Sequence, residues 1–379
     1  MFNINSPKSN ILIIGPKPPP YHGVSIATGY LLDKIDSNNF NIFHVDLSDR
    51  RGIQHVNKPD LWDVFLFINQ FFKAIRIIFK YHPSLVYIPI SQRGVGFFRD
   101  SLFVVLSIFF RCKIVMHLHG GNFRKWYNDQ GFLFRSFIKT ILKNTDAMIV
   151  LSSVFKSLFN GLVPFRNIFV VPNGIDYSCD KHNANLIETK PHEPLTVTYL
   201  GTLNRLKGVH ILLKSIPDVI NLYPNIRFIF AGPWSSRQDQ LKAEAFISRN
   251  NLSPFITFTG TVTDKAKWNV LHCSDIFVFP GIQQEGQPLV ILEALAAGIP
   301  ILYTDRGCIK QIIHEGINGL QIKTNDPKDL AEKILFLANN PILINKIKIR
   351  NIKLFQKEYT SKIFADSISR VFLKVLKNS

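Results

Sequence analysis

The chain has few cysteines, little acidic charge and no long apolar run. Its four cysteines, Cys112, Cys179, Cys273 and Cys308, are scattered through 379 residues without a Cys-x-x-Cys pair. That argues against a disulfide framework or a zinc site, and predicts small buried thiols in a reducing compartment. The longest apolar segment, residues 102–110, falls far short of the roughly 20 residues a membrane-spanning helix needs. The first ten residues are polar, and residues 11–14 are too short for a signal-peptide core. A cytoplasmic protein is expected, open to peripheral attachment on the inner face of the cell membrane. No Gly-x-Gly-x-x-Gly follows the first strand, so a nicotinamide or flavin dinucleotide is not expected. There is no zinc finger, RNP-like aromatic motif or helix-turn-helix spacing, so nucleic acid is not expected as a partner. No Asp-x-Asp motif between domains is available to chelate a metal–diphosphate pair, and no cofactor or metal is expected.

What is present in excess is positive charge and phenylalanine. Lys and Arg number 45 against 27 Asp and Glu, a net charge of +18, and there are 32 Phe. The surplus is uneven: residues 61–145 carry twelve Lys/Arg and three Asp/Glu, interleaved with Phe, Leu and Ile. Such a surface suits anionic lipid or another polyanion. With 46% hydrophobic residues the chain can bury sizeable cores, and its length predicts about two domains.

Short apolar strands alternate with helical segments twice along the chain. In the first series strands are predicted at 11–15, 41–45, 85–88, 113–119, 147–150 and 168–171. Helices are predicted at 24–35, 61–81 and 101–110, with a basic, aromatic helix region at 123–143. The second series has strands at 196–200, 226–231, 256–258, 276–279, 300–304 and 319–322. This alternation predicts α/β architecture with two doubly wound parallel sheets. The polar stretch between the series reads as a linker. The expected organisation is a first domain at 1–178, a linker at 179–194, a second domain at 195–358 and a C-terminal helix at 359–379.

Residues 285–298 carry the most chemistry. They read Glu-Gly-Gln-Pro-Leu-Val-Ile-Leu-Glu-Ala-Leu-Ala-Ala-Gly and follow a buried strand ending at Pro280. Pro288 sits where a first helical residue belongs and Gly298 where a helix stops. Glu285 therefore lies in the loop and Glu293 inside the helix, whose N-terminus offers N–H groups and partial positive charge to a phosphate. Residues 201–208, Gly-Thr-Leu-Asn-Arg-Leu-Lys-Gly, place Arg205 and Lys207 at a strand-to-helix turn, a good position for holding a diphosphate. In residues 116–121 alternation puts His117 and His119 on one face of a strand. Two His spaced by one can ligate a metal, but no third ligand is evident nearby.

These stretches, in this order, resemble the retaining GT-B glycosyltransferases of the large GT4 group, the glycosyl transferases group 1. The resemblance covers about residues 11–325. It rests on the Glu-x7-Glu element with its Gly, Pro, Ala and Gly neighbours. The Gly-Arg-Leu-x-x-x-Lys-Gly-like loop supports it, although Thr202 stands at the Arg position and Arg205 is the substitute. The resemblance implies two Rossmann-like domains facing a cleft, with the C-terminal helix crossing back onto the first. It implies transfer of a hexose-type sugar from a nucleotide diphosphate-sugar to an acceptor hydroxyl, with retention and without a metal. Arg205, Lys207 and Gly23, the second residue of His22-Gly23 where the family has a glycine pair, would meet the donor diphosphate. Glu285, with the backbone of Gly286, Gln287, Pro288 and Leu289, would hold the donor sugar. Glu293 would bind the ribose and Val262 the base. His119 and Glu285 would act nearest the chemistry. The element at 171–176, Val-Pro-Asn-Gly-Ile-Asp, resembles a hinge marker and is given no chemical role.

A nucleotide-sugar epimerase of the same fold and a non-catalytic glycan- or membrane-binding relative remain as alternatives. The basic first domain favours a lipid-linked or glycan acceptor, as in bacterial surface polysaccharide or glycolipid assembly. Within it, the helix predicted at 123–143 either lies on an anionic membrane surface or packs its apolar face into the domain.

Overall fold

The computed structural model describes residues 8–51, 60–177 and 193–377. Most of the linker expected at 179–194, and Cys179 within it, lie outside them. The chain divides into two compact units, residues Met1–Asp176 with Ser361–Ser379, and residues Tyr177–Thr360.

The first unit runs β1 (Ser9–Gly15), α1 (Gly23–Lys34), β2 (Phe40–Asp46), α2 (Leu61–Tyr81), β3 (Leu85–Ile90), α3 (Gly94–Phe109), β4 (Lys113–Leu118), α4 (Phe123–Asn128), α5 (Phe132–Lys143), β5 (Ala147–Val150) and β6 (Ile168–Val170). The strands form one parallel sheet in the order β2-β1-β3-β4-β5-β6. Strands β3 and β5 are buried at every position, as a parallel sheet covered on both faces requires.

The second unit begins with β7 (Leu195–Leu200), α6 (Val209–Leu222), β8 (Ile226–Ala231), α7 (Arg237–Arg249) and β9 (Ile256–Gly260). It continues with α8 (Asp264–His272), β10 (Ile276–Phe279), α9 (Leu289–Ala296), β11 (Ile301–Tyr303), β12 (Gly319–Gln321), α10 (Pro327–Ala338) and α11 (Pro341–Glu358). Its strands are also parallel, in the order β12-β11-β10-β7-β8-β9.

The last helix, α12 (Ser361–Lys377), belongs to the first unit. Its Phe364, Ile368 and Phe372 share one apolar cluster with Ile11, Leu85 and Tyr87. The Phe372 ring lies 5.7 Å from that of Tyr87 and 6.0 Å from that of Phe40. Each such buried side chain contributes about 1.5–3 kcal/mol relative to exposure, which fastens the C-terminus to the first sheet. Ser361 N–H also donates to Ile175 O at 2.9 Å.

The structure corrects the sequence reading at several points. The helix region at 123–143 is two helices, α4 and α5, separated at residues 129–131. Helix α5 turns Ile138, Ile141 and Leu142 inward, so the apolar face of that region packs into the unit and only its tip, Phe132 and Leu133, is exposed. Helix α3 starts seven residues before the predicted 101. Cys112 and Cys308 are buried as expected, but Cys273 is exposed.

Candidate active site

In the second unit the β10–α9 connection is fixed at several points. Ile282 N–H donates to Leu206 O at 2.9 Å, and Gly307 N–H donates to the Gln284 side chain at 2.8 Å. Thr304 Oγ1 donates to Gly281 O. Two glycines permit this closeness. A Cβ on Gly208, whose φ is +79°, would meet Pro280 O at 2.0 Å. A Cβ on Gly307, at φ +68°, would meet Glu285 O at 2.0 Å. Only glycine adopts such a conformation without strain and leaves that space. The loops bearing Lys207 and Glu285 are thereby held against the same strand end.

Lys207 and Glu285 form an ion pair, Nζ to Oε1 2.6 Å, both partly buried. Gln283 Nε2 donates to the same carboxylate oxygen at 2.8 Å. Lys207 N–H donates to Asn204 Oδ1 at 2.8 Å, which sets the turn before α6. Arg205 is exposed and has no carboxylate partner among the described residues. It remains free to meet an anion that reaches this turn.

Glu293 is buried on α9, where Lys267 of α8 meets it at 2.5 Å. The sequence reading missed Lys267. Nothing in Asp264-Lys-Ala-Lys-Trp268 distinguishes it from a solvated helix face. Val262 is half-buried in the connection between β9 and α8, five residues before Lys267. Pro288 is the N-cap of α9 rather than its first residue, and Gly298, at φ +78°, follows its end. Because proline has no N–H, Pro288 cannot donate to a sugar hydroxyl. Of the four backbone positions expected to hold the donor sugar, only Gly286, Gln287 and Leu289 carry an N–H.

In the first unit, His119 follows the end of β4. Its ring lies 3.9 Å, centroid to centroid, from that of His117 and tilted 32° to it, so the two do share one face. His117 is wholly buried, and its Nδ1 meets Tyr87 Oη at 2.7 Å. It is a core histidine. His119 is half-buried as a residue, yet both its ring nitrogens are inaccessible. Burial pushes its pKa down to about 4; Asn173 opposes that shift and the nearby His22 adds to it. The imidazole is therefore neutral near pH 7. Asn173, which the sequence marks only as part of a hinge-like turn, is buried beside this ring. His22 is the N-cap of α1, its Nδ1 accepting from Ser25 N–H at 3.3 Å. Gly23 is the first residue of α1, and a Cβ there would meet no atom within 4 Å. Its glycine character answers to no packing constraint in this unit. Among the described residues no cluster of three His, Cys, Asp or Glu converges to hold a metal ion.

The sequence pattern of the glycosyl transferases group 1 family matches residues 180–354, which include Lys207, Lys267, Glu285 and Glu293. This segment belongs to glycosyl transferases group 1. A phosphatidyl-myo-inositol mannosyltransferase of Mycobacterium leprae is 25% identical over 203 residues, 53% of this chain and 52% of that protein. The chain thus spans about half the length of such curated relatives. The glycosyltransferase of Rickettsia africae superposes with a TM-score of 0.72 at 16% identity, covering 98% of this chain and 100% of that one. HepE of Anabaena, solved with UDP and glucose, gives 0.70 at 15% identity, covering 97% and 100%. The fold is the GT-B fold of these glycosyltransferases. In the group 1 segment the two glutamates are each neutralised by a lysine from a different loop or helix. The Lys267–Glu293 pairing appears only in three dimensions.

Proposed function

We propose that this chain is a retaining, metal-independent hexosyltransferase. It would move a sugar from a nucleotide diphosphate-sugar to the hydroxyl of a lipid-linked or glycan acceptor, in bacterial surface polysaccharide or glycolipid assembly. The observation that carries the proposal is the Lys207–Glu285 pair inside the group 1 segment. A lysine already positioned by a carboxylate and a turn can meet a diphosphate without reorganising. Arg205 adds a second cation, and the N-terminus of α9 adds partial positive charge. Together they would stabilise the nucleoside diphosphate as it leaves. Glu285 and the N–H groups of Gly286, Gln287 and Leu289 would orient the sugar hydroxyls. Glu293, sharing its carboxylate with Lys267, would accept from the ribose, with Val262 beside the base. Both ring nitrogens of the neutral His119 are inaccessible, so no hydrogen bond to the sugar is assigned to it. With no further nucleophile assigned, retention fits front-face attack, in which the departing phosphate oxygen takes the acceptor proton. HepE, solved with UDP and glucose, and the mannosyltransferase relatives support a nucleotide-sugar donor.

Thermal shift against a panel of nucleotide sugars tests this reading. The correct donor at 100 times its dissociation constant stabilises the fold by about 2.7 kcal/mol. No shift with any donor would remove it. Turnover should also persist in excess EDTA, and loss with rescue by Mg²⁺ or Mn²⁺ would overturn the metal-independent mechanism.

A further inference from the structure

Helices α2 and α3 expose a set of large apolar residues that a surface helix ordinarily turns inward. On α2, Leu61, Phe65, Ile68 and Phe72 follow an i, i+4, i+7, i+11 spacing and share one face, and that face is exposed. Leu61 is 89% and Phe72 65% accessible. The opposite face buries only Gln70, Ala74 and Ile78. Helix α3 is apolar on both faces: Phe97, Phe103 and Val104 are buried together with Asp100, Ser101 and Ser107, while Phe98, Val105 and Phe109 point outward, Phe109 being 79% accessible. The two helices lie side by side, with Phe67 and Phe71 of α2 packed on Phe103 of α3 at 5.8 and 5.6 Å. The outward apolar residues of these two neighbouring helices make an exposed apolar surface, of the kind that marks an interaction site.

Charge identifies what covers it. Lys73 and Arg76 flank Phe72, and Arg111 follows Phe109. All three are exposed and have no carboxylate partner among the described residues. A second copy packed symmetrically on this face would set these cations against their own counterparts. An anionic bilayer offers both an apolar interior for the stripe and counter-charge for its rim. Among the described residues no helix is long and apolar enough to cross a membrane, so α2 and α3 would lie in its plane.

We propose that the outward face of α2 and α3 docks the first unit onto anionic membrane lipid. The proposal is independent of the transfer reading, since its test measures lipid binding and not turnover. The full chain is sedimented with vesicles of phosphatidylcholine alone or mixed with phosphatidylglycerol. Wild type should bind the mixed vesicles roughly tenfold better than the neutral ones and detach as salt rises. The double variant Phe65→Ser/Phe72→Ser should lose binding to both, with thermal unfolding unchanged because both rings are exposed. Lys73→Glu/Arg76→Glu should lose only the preference for anionic vesicles. The pair Arg135→Glu/Lys139→Glu, on α5, should bind like wild type. Failure of wild type to bind, or equal binding by the serine variant, would overturn the proposal. So would light scattering that shows a dimer dissociated by the serine substitutions, because a second copy would then own the face.

Discussion

Lys207 Nζ stands 2.6 Å from Glu285 Oε1, and these two side chains come from loops 78 residues apart in sequence. The pair joins the turn expected to hold a diphosphate to the loop expected to hold a sugar. Each residue is the other's counter-ion, and on the proposed function each would also bind the donor, so single substitutions would act on both roles.

Lys207→Ala should weaken binding of the free nucleoside diphosphate by about 1.5–3 kcal/mol, the value of a hydrogen bond to a charged group. Arg205→Ala should cost the same or less, since Arg205 is exposed. Calorimetry checks both. Wild-type affinity in both variants would show that the cations do not meet the diphosphate.

Glu293 and Lys267 form the second pair, and Glu293 is buried. Glu293→Ala should lower unfolding free energy by roughly 1–3 kcal/mol, because Lys267 is left partly buried without its partner. Adding Lys267→Met should restore part of that loss. Urea titration reads the stability, and nucleotide affinity should stay low in both variants. Full recovery of nucleotide binding in the double variant would place the ribose elsewhere.

Much of this arrangement was legible in the sequence because it is local. Glu285, Pro288, Glu293 and Gly298 fall within one strand–loop–helix unit whose spacing fixes their places. The alternating apolar runs gave both sheets, since parallel strands buried on two faces leave a near-continuous pattern. Lys267 was not legible, because its partner lies 26 residues away and its own helix looks solvated. Asn173 looked like part of a turn, and only the folded chain sets it beside His119. The break at 129–131 does carry a turn-like Asp-Gln-Gly, but aromatic residues on both sides masked it. The exposed apolar faces of α2 and α3 were hidden for a different reason: periodicity reports that a helix has two faces, not which one meets the core.

Buried histidines make stability depend on pH. The pKa of His119 is pushed down from 6.5 to about 4 by burial, and that of His117 is also lowered well below its ordinary value by burial and by His119. Unfolding restores ordinary values, so below about pH 6.5 the unfolded chain binds protons that the folded chain does not. Stability should therefore be fully present above 6.5 and fall progressively as pH drops toward 4. His119→Asn should flatten this dependence in thermal unfolding measured across that range. An unchanged slope would show that His119 is not held neutral.

The glycines separate folding from binding. Gly208→Ala forces a side chain into φ +79° and against Pro280 O, and should destabilise by roughly 2–4 kcal/mol. Gly23→Ala meets open space, and on helical propensity alone should be neutral or stabilising by up to about 1 kcal/mol. If Gly23 lets a donor phosphate approach the backbone, the alanine variant should still lose donor affinity. Unchanged affinity would remove Gly23 from the site.

Release of nucleoside diphosphate from the donor identified by thermal shift, followed with and without acceptor lipid extract, tests the central claim most directly. The account predicts release that requires acceptor, transfer of the sugar with retained anomeric configuration, and a loss of at least roughly a hundredfold in Glu285→Ala, equivalent to about 2.7 kcal/mol of transition-state stabilisation. Conversion of the donor to another nucleotide sugar without release, or equal release by wild type and Glu285→Ala, would contradict it.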